Sequence, residues 1–246
     1  MKPSKRRKLS SRAGNIDIGN PHPRIAICLC LDTSASMLGH PIRELNSGMR
    51  LFYKTLQQNS DSRYAADIAV VTFGCEGVLC VQNFAQLYEG ISPPVLKADG
   101  KTPMGEAINL ALDLIEERRH DYWELDIRHY HSRLIIMADG KPNGSAEELR
   151  RAAARSRDMV SKNMLAVIPV GVGNGADLNV LSQFSPRVQP VRLKGLKFDS
   201  FFKWLTVSVE KVVARPLEHE SNLLVENADW IDGSWEEMFS SGRRQY

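Results

Sequence analysis

Three uninterrupted apolar runs place the strongest limit on how this chain can fold. They cover residues 25–31, 135–138 and 165–172, and none of them contains a charged residue. Strands without polar residues are covered on both faces, as happens at the centre of a parallel sheet. Segments with helical periodicity separate the runs. The sequence therefore predicts an α/β protein with a doubly wound, mostly parallel sheet and right-handed crossovers.

The remaining elements follow from periodicity and from turn residues. Short strands at 69–73 and 78–84 flank two glycines, which predicts one antiparallel edge strand. Ser145 followed by Glu148 forms a capping box at the start of a helix that runs to about residue 162. The other expected elements are strands at 24–32, 132–139 and 188–193, helices from Pro41, from Met104 and over 198–213, a loop at 85–101 and a polar insertion at 118–131.

Charge divides the chain into three parts. Residues 1–12 carry six basic and no acidic side chains, and without them the net charge of +3 becomes −3. We expect a basic, disordered leader at 1–23, one domain at 24–214 and an acidic, aromatic tail at 215–246. The body is not a basic nucleic-acid binder, so a nucleic-acid partner is not expected.

Hydropathy and cysteine usage favour a cytoplasmic protein. No stretch approaches the roughly 18 apolar residues of a membrane span, and no apolar signal segment follows the basic amino terminus. The spacing of the four cysteines matches no zinc knuckle, and Cys28 and Cys30 share one strand face, where they cannot easily bridge each other. We expect buried, reduced thiols.

Polar side chains that follow the apolar strands predict a metal site. Asp32, Ser34 and Ser36 come directly after the first strand, where ligands bind in parallel sheets. They offer oxygen atoms only, which favours Mg2+, Mn2+ or Ca2+ over zinc. Three oxygens do not complete an octahedron, and further ligands are available at Thr102, which opens a helix, and at Asp139, which ends another strand.

This set of residues resembles the metal-ion-dependent adhesion site, or MIDAS, of the von Willebrand factor A family. All five ligand positions occur in the family's order, and the wider resemblance covers about residues 24–214. The resemblance implies Asp32, Ser34, Ser36, Thr102 and Asp139 as ligands of Mg2+ or Mn2+. It also implies a non-enzymatic module in which the cation captures an Asp or Glu side chain of a partner protein.

A narrower resemblance is carried by residues 102–107, 139–144 and 201–205. These segments are similar to small bacterial proteins grouped with the tellurite-resistance protein TerY. That similarity implies an adaptor in a stress or tellurite-resistance system that also contains a serine/threonine kinase and a PP2C-type phosphatase.

Each predicted ligand also has an alternative structural role. Asp32 and the two serines could satisfy the free amides of a strand-to-helix turn. Thr102 could be an N-cap with Pro103 at the first helical position, and Asp139 could be a turn residue.

Other polar clusters carry weaker signals. His129 and His131 share a predicted strand face but lack an obvious third ligand. Gly171–Gly175 follows a strand without the full spacing of a dinucleotide loop, which favours a structural turn. The basic residues at 5–8 fit a solvated tail better than a nuclear signal or a nucleic-acid contact. Two alternatives stay open for the aromatic tail, which either covers its own domain or docks on a partner; its apolar residues are Trp230, Ile231, Trp235, Met238 and Phe239.

Three enzyme or nucleotide-binding classes compete with the binding module. A metal-dependent hydrolase or phosphotransferase could use Asp32 as its nucleophile, but such enzymes usually need a second acid where Ser34 stands. A serine hydrolase needs a histidine in reach, and none lies at a clear strand end. A nucleotide-binding protein would need a phosphate loop after the first strand, which this sequence lacks.

Overall fold

A six-stranded sheet forms the centre of the structure, a computed structural model that describes residues 16–74, 76–215, 217 and 229–231. The strand order is β3-β2-β1-β4-β5-β6. β3 pairs antiparallel with β2, and all other neighbours are parallel. This arrangement confirms the predicted fold class. The strands are β1 (Ile25–Thr33), β2 (Ala66–Gly74), β3 (Gly77–Gln86), β4 (Ser132–Ala138), β5 (Leu165–Val172) and β6 (Val191–Leu193).

Helices cover both faces of the sheet. Half of the predicted capping box at the start of α4 is present, since the Ser145 hydroxyl accepts a hydrogen bond from the Glu148 amide at 3.3 Å, whereas the Ser145 amide donates to Glu106 and not to Glu148. The helices are α1 (His40–Gln58), α2 (Ser60–Ala65), α3 (Met104–Glu124), α4 (Ala146–Ser161), α5 (Leu178–Leu181) and α6 (Phe198–Val213), with short 3-10 turns at Ala35–Met37 and Ser182–Phe184.

The alternating side chains of β1 contribute to two separate cores. Ile27 and Leu29 face the layer of α1 and α6, whereas Cys28 and Cys30 face the layer of α3 and α4. Burial raises the pKa of both thiols, and both are free. Cys80 is also free but exposed, so the expectation of buried thiols fails there. Cys75 lies outside the described residues.

The polar segment 118–131 is not an insertion over its first half, because α3 continues through it to Glu124. Arg118 and Tyr122 point inward from this part of the helix and are buried. The Tyr122 hydroxyl donates to Asp67 Oδ2 at 2.5 Å, and the guanidinium groups of Arg118 and Arg24 lie 3.7 and 3.5 Å from the same carboxylate. These contacts pair the buried polar groups, which is the condition for burying them at low cost.

The segment before β1 is partly described. The Asn20 side chain donates to the carbonyl of Tyr64 at 2.7 Å, and Arg24 donates to the carbonyl of Asp17 at 2.9 Å. The prediction of a disordered leader falls otherwise on residues 1–15, outside the described residues. None of the described helices is long and apolar enough to span a membrane.

Residues 229–231 return to the domain beside β6. Ile231 forms an antiparallel bridge with Leu193, and the Lys194 amide donates to the carbonyl of Trp230 at 2.7 Å. The Trp230 ring is fully buried, with its centroid 4.9 Å from that of Phe201 and 5.3 Å from that of Trp204. Trp230 and Ile231 therefore follow the fold-back alternative. The other aromatic-tail positions, Trp235, Met238 and Phe239, lie outside the described residues.

We predict that Trp230→Ala lowers the free energy of unfolding by about 3–5 kcal/mol, because it empties a fully buried aromatic site. Denaturant unfolding measures the loss. The matched control is Trp123→Ala, since Trp123 is 76% exposed and its removal should change stability by no more than about 0.5 kcal/mol. Equal effects of the two substitutions would contradict the packing described for Trp230.

Candidate metal centre

A buried carboxylate joins the ends of the two central strands. Asp32 lies near the end of β1 and is 1% exposed. Its Oδ1 accepts a hydrogen bond from the Ser34 amide at 2.8 Å, and its Oδ2 accepts one from the Asp139 amide at 3.3 Å. Because β1 and β4 are parallel neighbours, both chain segments leave the sheet at the same edge. Asp32 therefore fixes the starts of the two loops that follow these strands.

A chain of hydrogen bonds connects the other polar side chains at this edge. The Ser34 and Ser36 hydroxyl oxygens are 3.0 Å apart, and Ser36 donates to Asp139 Oδ1 at 2.7 Å. Ser34 is buried whereas Ser36 is exposed, so the cluster leads from the protein interior to its surface. Four of the five predicted ligands thus lie together, although Asp139 is 103 residues from Ser36 in the sequence.

Thr102 is held beside this cluster through backbone contacts. Its amide donates to Asn143 Oδ1 at 2.6 Å, and its carbonyl accepts from the Asn143 amide at 3.1 Å. Just before it, the Gly100 carbonyl accepts from the Ala35 amide at 3.2 Å. The loop that carries Thr102 is therefore fastened to the segment after β1 and to the segment after β4. Within the described residues, the Thr102 hydroxyl itself forms no hydrogen bond.

The alternative role of Thr102, as the N-cap of α3, is not observed. The N-cap of α3 is Pro103, no side chain caps this end, and Met104 is the first helical residue. The helix starts at Met104, as the periodicity predicts, and the Thr102 amide and carbonyl are both bound to Asn143. The Thr102 hydroxyl is consequently not used by the helix and stays available to another partner.

Asn143 and Glu106 support the site, and sequence reasoning did not single them out. Glu106 Oε1 accepts from the Ser145 amide at 2.7 Å, which ties α3 to the loop after β4. Helices α3 and α4 approach closely here, since a Cβ at Gly105 would lie 2.4 Å from the Leu149 nitrogen. A polar residue next to a glycine, in α3 and in the loop after β4, was the available signal, but only the tertiary structure shows which groups these residues contact.

The electrostatics of the cluster depend on the burial of Asp32. Burial raises the pKa of Asp32 to about 7; hydrogen bonds from Ser34 oppose this shift, and the nearby charge of Asp139 adds to it. An anionic Asp32 is therefore costly without a compensating cation. No group of three or more His, Cys, Asp and Glu side chains that could hold a metal occurs in the described parts of the chain. The two carboxylates of this cluster would need hydroxyl oxygens as further ligands.

Neither of the weaker clusters forms a second site. His129 and His131 precede β4 and do not share a strand face, contrary to the sequence interpretation, and the His129 ring contacts the Ile127 carbonyl at 3.1 Å. Within the Gly171–Gly175 segment, residues 173–175 form a turn that packs on the loop after β4, because a Cβ at Gly175 would lie 2.8 Å from the Asp139 carbonyl oxygen. This close approach explains the need for glycine at residue 175.

A model of the family described as the von Willebrand factor type A domain matches residues 26–192. The chain belongs to this family. The matched part of the chain contains all five predicted ligands. A search among curated proteins found no match.

Solved structures of other VWA domains share the fold at low sequence identity. The von Willebrand factor type A protein from Catenulispora acidiphila has a TM-score of 0.59 at 17% identity, covering 76% of this chain and 43% of that one. The vWF domain of the pilus tip protein Mfa5 from Porphyromonas gingivalis has a TM-score of 0.58 at 9% identity, covering 79% of this chain and 98% of that one. This level of identity supports the fold alone.

The description of a third neighbour mentions a bound metal. Proximal thread matrix protein 1 from the mussel byssus, described with a zinc-occupied MIDAS motif, has a TM-score of 0.52 at 16% identity, covering 77% of this chain and 48% of that one. The chain spans less than half the length of the first three structures that it matches.

We predict that Asn143→Ala lowers the free energy of unfolding by about 1–3 kcal/mol, because it leaves the buried Thr102 amide without an acceptor. Asn143→Asp keeps the acceptor oxygen and should retain most of the stability. Denaturant unfolding of the three proteins gives the comparison. A loss in the Asp variant as large as that in the Ala variant would contradict the role assigned to this hydrogen bond.

Proposed function

We propose that this VWA domain is a non-enzymatic protein-binding module whose divalent cation is held by Asp32, Ser34, Ser36, Thr102 and Asp139. The observation that carries the proposal is the set of oxygen-bearing side chains linked from buried Asp32, through the Ser34 amide and hydroxyl, to exposed Ser36 and to Asp139. Such a set can hold a hard cation at the protein surface, where a second protein has access to it.

The donor atoms fit Mg2+ or Mn2+. Adjacent corners of an octahedron with metal–oxygen bonds of about 2.1 Å are about 3 Å apart. The two measured separations along the chain from Ser34 through Ser36 to Asp139 are 3.0 and 2.7 Å. Zinc in proteins favours nitrogen and sulfur ligands in tetrahedral sites. The mussel protein nevertheless takes zinc at its MIDAS, so zinc competition belongs in any metal titration.

The residues divide into two groups by what they can offer a cation. Ser34, Ser36, Thr102 and Asp139 have oxygen atoms that the backbone does not use. Both oxygens of Asp32 accept hydrogen bonds from backbone amides, so Asp32 contributes negative charge from the interior side of the site. When bound, the cation supplies positive charge and a coordination position for an anionic oxygen. Among the residues with unused oxygens only Asp139 carries a negative charge, so the cation stays under-neutralised and a partner's Asp or Glu is an attractive further ligand.

The narrower assignment rests on sequence resemblance. Similarity to the TerY-like group supports a cytoplasmic adaptor that works with a serine/threonine kinase and a PP2C-type phosphatase in a stress or tellurite-resistance system. Within residues 201–205, which contribute to that similarity, Phe201, Phe202 and Leu205 are buried core residues of α6. This segment therefore supports the fold and does not itself specify a partner.

A metal-dependent hydrolase or phosphotransferase that uses Asp32 is the alternative. The burial of Asp32 opposes it, because a nucleophile must reach its substrate and here both carboxylate oxygens accept backbone hydrogen bonds. Turnover of a phosphoester by the purified protein with Mg2+, lost in Ser36→Ala, would favour this alternative over the binding module.

We predict that Ser36→Ala and Asp139→Asn each weaken Mn2+ or Mg2+ binding by about 10–100-fold or more without unfolding the protein. Isothermal titration calorimetry measures the affinity, and circular dichroism checks the fold. Asp32 is less suitable because its loss would leave two backbone amides unpaired. The control is Ser161→Ala, an exposed serine at the far end of α4. Unchanged affinity in the two site variants would refute the proposed ligand set.

We also predict that Mn2+ affinity falls about tenfold between about pH 8 and about pH 6. Cation binding requires ionised Asp32, whose pKa is about 7 in the metal-free protein. The stability of the metal-free protein depends on pH in the opposite direction. Without metal, the folded state holds this proton more tightly than the unfolded state does, so the stability contributed by the group decreases as the pH rises from 3.8 to about 7. Calorimetric titrations at the two pH values test the prediction, and a constant affinity would contradict it.

A further inference from the structure

Two Asn-Gly pairs stand in loops at the carboxyl edge of the sheet. Asn143-Gly144 follows β4, and Asn174-Gly175 follows β5. All four residues are exposed. Glycine has no side chain to shield its amide nitrogen, so this nitrogen can approach the side-chain carbonyl carbon of the preceding Asn closely. Attack of the nitrogen on that carbon expels ammonia, and this is how Asn-Gly pairs deamidate.

At the first pair, the fold supplies a hydrogen-bond donor to the amide oxygen of Asn143. The Thr102 amide donates to Oδ1 at 2.6 Å, and the Asn143 amide donates to the Thr102 carbonyl at 3.1 Å. When a nucleophile adds to Cγ, negative charge develops on Oδ1. A backbone N–H that is already directed at this oxygen stabilises the charge, as the donors of an oxyanion hole do. The contacts to Thr102 thus both hold the side chain and activate its carbonyl carbon.

The fold also places a carboxylate against Gly144. A Cβ on this glycine would lie 2.5 Å from Glu106 Oε2. Oε2 is buried and has no hydrogen-bond partner within the described residues, whereas Oε1 accepts from the Ser145 amide at 2.7 Å. The Gly144 amide likewise has no acceptor among those residues. A carboxylate beside an amide N–H can take its proton as a general base, which makes the nitrogen a nucleophile.

The second pair lacks both of these groups. In the described part of the chain, the Asn174 side chain receives no hydrogen bond. The atom nearest to a Cβ on Gly175 would be the Asp139 carbonyl oxygen, at 2.8 Å, and no carboxylate oxygen would lie within 4 Å of it. The chain therefore contains its own comparison, since the two pairs have the same residues and similar exposure but different surroundings.

We propose that Asn143-Gly144 is a self-modification site, at which the folded protein promotes the deamidation of its own Asn143. Glu106 accepts the Gly144 amide proton, and the nitrogen forms a bond to Asn143 Cγ. The bond from Cγ to the side-chain nitrogen breaks, and this nitrogen takes up the proton and leaves as ammonia. The product is a succinimide. Water opens the ring at Cγ to give an aspartyl residue, or at the main-chain carbonyl carbon to give an isoaspartyl residue.

The isoaspartyl product changes the support of the candidate metal centre. It inserts a methylene into the main chain between residues 143 and 144, where space is short, since a Cβ on Gly144 would also lie 2.8 Å from the Pro103 Cα. It also removes the side-chain oxygen that holds the Thr102 amide. The loss of ammonia makes the change irreversible, so the site acts as a timer that releases the loop carrying Thr102.

Ageing of the purified chain tests the proposal. The folded protein is incubated at neutral pH and digested, and liquid chromatography with mass spectrometry resolves the Asn, aspartyl and isoaspartyl forms of each peptide. We expect Asn143 to deamidate at least about tenfold faster than Asn174, because an oxyanion donor or a general base alone contributes about 100-fold or more in enzymes. Equal rates, or a faster reaction at Asn174, would overturn the proposal.

Glu106→Gln isolates the contribution of the base. Gln keeps an acceptor oxygen for the Ser145 amide but cannot take the Gly144 proton. The substitution should slow deamidation of Asn143 about tenfold or more and leave the rate at Asn174 unchanged. The matched control is Glu117→Gln, at an exposed residue of the same helix, which should change neither rate. An unchanged rate at Asn143 in Glu106→Gln would overturn the proposal.

Denatured protein separates the fold from the local sequence. In denaturant the two pairs should react at similar rates, because neither Thr102 nor Glu106 is then in place. A faster reaction at Asn143 that persists in denaturant would assign the difference to the flanking residues and overturn the proposal. If Glu106→Gln raises both rates, the substitution has opened the fold, and the ratio of the two rates in the unaltered chain, folded against denatured, decides the outcome.

The effect on the metal centre has its own measurement. Isoaspartyl protein separated by ion exchange should bind Mn2+ at least about tenfold more weakly than unaged protein, because a supporting residue of the ligand set is lost. Equal affinity would refute the timer. Failure of the unaged protein to bind Mn2+ would count against the proposed function alone, since the deamidation rates do not depend on it.

Discussion

The burial of one carboxylate at the centre of the sheet determines the arrangement of the whole site. Asp32 accepts hydrogen bonds from the amides that start two loops, and these loops carry every other side chain of the oxygen cluster except Thr102. The two strands that support it are buried along their full length. The apolar core thus places a charged group where the fold alone compensates it incompletely, as its raised pKa indicates.

Thr102 reaches the cluster by a different route. Its position depends on backbone hydrogen bonds to Asn143 and on the close approach of glycines, not on its own side chain. The backbone of Thr102 is therefore held in place, while its hydroxyl forms no hydrogen bond within the described residues. Pre-organised ligands of this kind need little rearrangement when a cation or a partner binds, so less binding free energy is spent on ordering them.

The sequence predicted the parts of the structure that hydrophobic patterning controls. The central strands were evident because they are apolar on both faces, and the order of the five motif residues indicated the candidate site. The end of α3 was missed because Arg118 and Tyr122 are buried by pairing with Asp67, a contact that no periodicity reveals. The alternative of a Thr102 cap could not be decided from the sequence for a related reason, since Asn143, which binds the Thr102 amide and carbonyl, is distant in sequence.

The fully buried Trp230 has a consequence for the order in which the domain is completed. The central strand β1 comes first in the chain, whereas Trp230 fills a recess beside Phe201 and Trp204 almost 200 residues after the end of β1. Chains are synthesised from the amino terminus. During translation, the sheet can therefore assemble while this aromatic recess is still open to water. A released chain that ends before residue 230 would keep every described strand and helix but leave this recess exposed, and exposed hydrophobic surface of that kind promotes aggregation.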